Sequence, residues 1–141
     1  MRYILTVIVF LYISVAYGQE YRYHQMWSYK TRCGEDGSEI LINSIDITDK
    51  YGPVYHVSVF NVKMKKVTTE GKVKILPYLA LSKESLDKSV IKLTAERYPY
   101  LPFHKEYVKW KEALEEGTEV VYKDAVADIL ESLESGSCET Q

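Results

Sequence analysis

Histidine, cysteine and proline are scarce in this chain of 141 residues, at three, two and four copies, and each scarcity excludes something. His24, His56 and His104 stand in no metal-ligand spacing: there is no H-x-x-x-H and no H-E-x-x-H, and a paired Cys33 and Cys138 would leave no thiolate to join them. No nucleophile elbow and no phosphate-cradling glycine loop occurs, and the glycine- and acid-bearing segment 34–39 lacks the ordered ligand positions and closing Glu of a calcium loop. It reads as a turn. Neither Asn43 nor Asn61 has Ser or Thr two residues on, so no N-glycosylation acceptor is present. No internal repeat or low-complexity segment appears. No cofactor and no metal are expected, and a catalytic pair, if there is one, falls to His24 and His56.

Long apolar runs are also missing after the first residues. Residues 1–18 carry Arg2, an apolar run from Ile4 to Val15 and small residues at Ala16 and Gly18, the pattern of a secretory signal peptide. The run is shorter than the roughly 20 apolar residues of a membrane span. The expectation is therefore cleavage after Gly18, leaving residues 19–141 as one secreted, extracellular domain with no membrane anchor. The tail, SGSCETQ, has no hydrophobic extension for a lipid anchor.

Charge is uneven along the chain. Without Arg2, 17 basic residues face 20 acidic ones; residues 19–81 hold 9 basic and 7 acidic, and residues 82–141 hold 8 and 13. Nucleic acid is an unsuitable partner for so acidic a half. From Glu112 onward nine acids face only Lys123, which reads first as the solvated face of a helix and second as a surface for a basic partner.

In an oxidising compartment Cys33 and Cys138 are expected to pair within the chain, giving a monomer in preference to a disulfide-linked dimer. Closing a loop of about a hundred residues stabilises a domain by up to about 4.7 kcal/mol in the chain-entropy picture.

The fold is legible as period. Residues 54–67 alternate, with Val54, His56, Ser58 and Phe60 on one side and Tyr55, Val57 and Val59 on the other, and predict a central strand. Residues 21–33 alternate with Tyr21, Tyr23, Trp27 and Tyr29 on one face, and residues 40–48 place Leu41, Asn43, Ile45 and Ile47 together. Residues 72–81 begin as a fourth strand, which Pro77 confines to an edge or breaks. At Ser82 the period changes. A helix is predicted over 83–97, a second over 104–116 closed by Gly117, and a third from Thr118 with Tyr122, Val126, Ile129, Leu130 and Leu133 as its apolar stripe. The expected fold is α+β: a four-stranded antiparallel meander followed by three helices packed on one sheet face. In element order alone this resembles one half of an antigen-presenting platform.

Ten tyrosines remain after residue 18. Stiffened by Pro99 and Pro102, the loop carrying Tyr98, Tyr100, Leu101 and Phe103 either plugs the end of the core or forms a rigid aromatic contact surface. Those four residues are the candidate binding residues. The functional expectation is a small non-enzymatic binding or effector protein with an extracellular protein partner. Two alternatives accompany it: a carrier holding an apolar ligand among Trp27, Tyr29, Phe60 and Trp110, and a small hydrolase using histidine.

Overall fold

The computed structural model describes residues 20–64, 68–70, 73–98 and 103–134. Its elements in chain order are β1 (Met26–Tyr29), β2 (Glu39–Thr48), β3 (Gly52–Phe60), β4 (Thr68–Glu70), β5 (Val73–Ser82), α1 (Lys83–Ser89), β6 (Val90–Ala95), α2 (His104–Glu116) and α3 (Val126–Leu133). All strand pairs are antiparallel, in the order β4-β5-β3-β2-β1-β6. Five strands have four residues or more, and β4 adds three residues at one edge.

Two parts of the expected fold are corrected. The meander does not end at four strands, because the predicted helix over 83–97 stops at Ser89 and the chain turns into β6, which pairs with β1 at the far edge. The reason is local: Val90, Ile91 and Thr94 are β-branched, stiff at χ1, and suit a strand better than a helix. The likeness in element order to half of an antigen-presenting platform ends there.

Nor do the helices share one face. α1 and α3 bring Leu86, Val126, Ile129 and Leu130 onto Trp27, Tyr29, Ile40, Tyr55 and Val57. α2 lays Trp110 on Val54 and Ala80, which point the other way along the same strands. β3, buried from Val54 to Phe60, has apolar surface on both sides. Each side needs a cover.

The third helix also begins later than its stripe suggested. Residues 118–125 are not helical, and Tyr122 forms a parallel bridge to Leu81, accepting from Ser82 N and donating its own N–H to Ala80 O, both at 2.9 Å. That outer side of β5 is open to it because β4 pairs only with residues 73–75. α3 therefore does not start from Thr118. Ala125, at the N-cap of α3, makes no side-chain cap bond; the Val126 N–H is instead accepted by Ser89 Oγ at 2.8 Å.

Bulges explain which side chains share a face. The β2–β3 register shifts between Ile42 and Ser44, so Ile40, Ile42 and Ile45 pack with one cluster while Leu41 packs on the other face. Beyond the bulge Ile47 is 80% exposed. A second shift, opposite Ser58, accommodates Pro77, which lacks a ladder donor; Pro77 O instead accepts from Ser58 Oγ at 2.7 Å. At the start of the sheet, His24 has φ 69°, and this turn shortens the predicted first strand to Met26–Tyr29 and leaves Tyr23 exposed.

Candidate functional site

A set of interacting polar side chains lies beneath α2. Asp46 from β2, His56 from β3 and Tyr78 from β5 come together because Asp46 pairs with Val54 and His56 with Ala80 in adjacent registers. His56 is fully buried. Its Nε2 lies 2.9 Å from Asp46 Oδ2 and its Nδ1 2.6 Å from the Tyr78 hydroxyl. A carboxylate only accepts, so Nε2 carries the proton, and in the neutral ring Nδ1 accepts from Tyr78.

Trp110 meets the imidazole edge to face at 4.7 Å and Tyr107 at 5.0 Å, and the Tyr107 hydroxyl donates to Asp46 Oδ1 at 3.2 Å. Burial lowers the His56 pKa from its ordinary value; Asp46 opposes that shift and Lys111 adds to it. Burial raises Tyr78, with Asp46 acting in the same direction. Both ring nitrogens are thus engaged inside the protein, and the cluster fastens α2 to the sheet.

A groove of about 600 Å³ opens at the start of β1, lined by Tyr21, Arg22, Tyr23, His24, Gln25, Ile45, Glu96 and Arg97. The turn at 23–24 and the end of β6 build it jointly: His24 N donates to Ile42 O at 2.6 Å, and Tyr98 N donates to His24 O at 2.8 Å. His24 Nδ1 is 3.2 Å from Tyr98 O. Gln25, buried, fixes the floor by accepting from Arg22 N and Trp27 Nε1. Above it Tyr23 is 64% exposed, its ring edge on against His24 at 5.7 Å. Arg22 reaches Glu20 at 3.3 Å, while exposed Arg97 makes no ion pair among the described residues.

A second groove, of about 420 Å³, lies where the β2–β3 turn meets the C-terminal end of α2. Its lining includes Asp46, Ile47, Asp49, Lys50, Lys111, Leu114, Gly117 and Glu119. Gly117 closes α2 at φ 74°, a left-handed position suited to glycine. The Glu119 side chain is only 1% exposed; Oε1 receives Lys50 Nζ and the Tyr51 hydroxyl, both at 2.8 Å.

The residues singled out from sequence are dispersed. His24 lines the first groove and His56 is sealed under α2; they have different partners. His104 is exposed at the start of α2. Of the candidate binding residues, Tyr98 is half-buried with its ring 5.3 Å from Phe60, and Phe103 is buried, packing on Tyr107 at 5.9 Å. Tyr100 and Leu101 lie outside the described residues.

Trp27 and Tyr29 belong to one cluster, Phe60 to a second and Trp110 to a third. The four therefore do not share one cluster among the described residues. Among the described residues no group of three or more His, Cys, Asp or Glu is placed to hold a metal ion. No cysteine there is free, while Cys138 is outside them, as is the expected signal peptide.

Sequence reading missed Asp46, Tyr78 and Glu119. A lone acid inside the apolar run 40–48 was the available signal for Asp46, and the bulge hid which face it joins.

These features define a class by architecture: an α+β domain with one antiparallel sheet covered by helices on both faces. Compared with known protein families, curated proteins and solved structures, the chain shows no match.

Proposed function

We propose that this is a small secreted protein that works by holding a partner on its surface, with the groove before β1 as the contact site and Cys33 bridged to Cys138. The observation that carries the reading is the groove itself. An exposed Tyr23 and an Arg97 without an ion pair among the described residues line a concave surface, and its His24 is hydrogen-bonded to Tyr98, the first residue of the aromatic loop. Tyrosine and arginine are the side chains that give the most contact energy at protein interfaces.

The bridge is supported by the position of α3. Arg32, next to Cys33, has its Nη1 3.5 Å from Glu131 Oε2, and Cys138 follows Glu131 by seven residues.

The test uses the chain from Gln19 onward as bait in extracellular fluid of its source, beside a Tyr23→Ala, Arg97→Ala double variant. Both positions are exposed, so the variant should keep the wild-type melting temperature. A stoichiometric partner retained by the wild type and lost, by tenfold or more, from the variant is the expected result. Equal retention by both removes this groove as the contact site.

A further inference from the structure

Beyond that reading and independent of its groove, we propose that the second groove, between the β2–β3 turn and the end of α2, takes a lysine or arginine side chain of a basic peptide segment. Three observations converge on a missing cation. Glu119 is buried by its side chain, and of its carboxylate only Oε1 is engaged; Oε2 is inaccessible and without a hydrogen-bond partner among the described residues. A carboxylate has about four acceptor positions, and leaving an oxygen unpaired out of water is costly.

The second observation is the helix end. α2 has no basic residue in its last turn, and Glu115 and Glu116 occupy it. Negative side chains at the negative pole of a helix dipole are unfavourable, and a cation placed there is stabilised.

The third is Asp49, which lines the groove, is exposed, and makes no ion pair among the described residues. The two lysines of the groove are already committed: Lys50 to Glu119 at 2.8 Å, and Lys111 near Asp46 at 3.9 Å. The remaining charge is negative.

Shape selects a side chain over a bare ion. Ile47 and Leu114 stand in the same groove as the carboxylates, and they provide an apolar wall for the methylene stem that lysine and arginine carry behind the charge. Lys50 stays on Glu119 Oε1, and the incoming N–H donors go to Oε2 and to Asp49.

The experiment titrates a labelled octapeptide of alternating arginine and serine into the chain from Gln19 onward and follows fluorescence anisotropy, with a glutamate–serine octapeptide as control. Binding of the basic peptide alone is expected, weakened at least tenfold by Glu119→Gln, which keeps the shape of the side chain. An Asp49→Asn, Glu115→Gln variant alters only exposed groups, so it stays folded even if Glu119→Gln does not, and it should weaken binding about threefold or more. Arg97→Ala, in the other groove, should leave it unchanged. The proposal is overturned if the groove variants bind as the wild type does, or if Glu84→Gln with Asp128→Asn, remote from the groove, weakens binding as much. Displacement by an equal concentration of spermine would assign the groove to free polyamines and overturn the peptide.

Discussion

His56 shows how much one buried side chain decides. Its neighbours are all arranged around a neutral ring: Asp46 accepts from Nε2, Tyr78 donates to Nδ1, and Trp110 and Tyr107 close the space. Replacing it with Ala removes the ring and leaves Asp46 and the Tyr78 hydroxyl each short of a partner. Cavity formation and the lost hydrogen bonds together should cost about 3 kcal/mol, read from urea unfolding at pH 7.5.

The same residue sets a pH dependence whose sign follows from its lowered pKa. Below the ordinary histidine value the unfolded chain binds a proton that the folded chain resists, so stability is whole above about pH 6.5 and declines as pH falls toward the folded value. The unfolding midpoint should therefore drop between pH 7 and pH 5.5, and His56→Asn should flatten that part of the profile. An unchanged slope in the variant would remove His56 as its source. From sequence the parity of His56 with Val54 and Ser58 was readable, but its partners were not, because they come from two other strands and a helix.

At the scale of elements, periodicity located most segments and misjudged their ends. Residues 104–116 were legible because Gly117 terminates them, and the central strand because its alternation is unbroken to Phe60. The stretch 83–97 was not. Leu86, Val90, Ile91 and Leu93 fit a helical stripe, and only pairing with β1, fixed by residues sixty positions earlier, makes the second half a strand.

Short helices here depend on their neighbours. α3 has eight residues, too few to persist alone in water, and its first N–H is satisfied from outside by Ser89, whose hydroxyl in turn donates to Ser85 O at 2.6 Å. Ser85 Oγ donates to Asp124 O at 2.6 Å, holding the preceding turn. Ser89→Ala should cost about 1 to 2 kcal/mol, the loss of a cap with a buried amide left unpaired. Amide exchange should accelerate at Val126 and its neighbours before it does in β3; uniform acceleration across the sheet would show that Ser89 is not specific to α3.

For the molecule as a whole, the sheet is held at its lower end by a buried ion pair. Arg32 Nε donates to Glu35 Oε1, Glu35 Oε2 accepts from Lys63 N at 2.8 Å, and Arg32 also reaches Lys63 O and Glu131. The chain leaving β1, the chain leaving β3 and the last turns of α3 are joined at this point. Glu35, 3% exposed, has no water to replace its partner, and Glu35→Gln leaves the guanidinium undercompensated at a cost of about 3 kcal/mol.

Cys33 sits beside this clamp, so the proposed bridge and the ion pair restrain the same junction. Restraints that share a junction are not additive. If the bridge runs to Cys138, Cys33→Ser and Cys138→Ser should each lower stability by a similar amount, a few kcal/mol and at most the roughly 4.7 kcal/mol of a hundred-residue loop. The double variant should lose no more than either alone. Combining Cys33→Ser with Glu35→Gln should then lose less than the two single losses added, since α3 released by one change has less left to lose by the other. Urea unfolding of the wild type and these five variants measures this directly. Unequal losses at the two cysteines would separate them, and strict additivity with Glu35 would place the end of the chain away from the clamp.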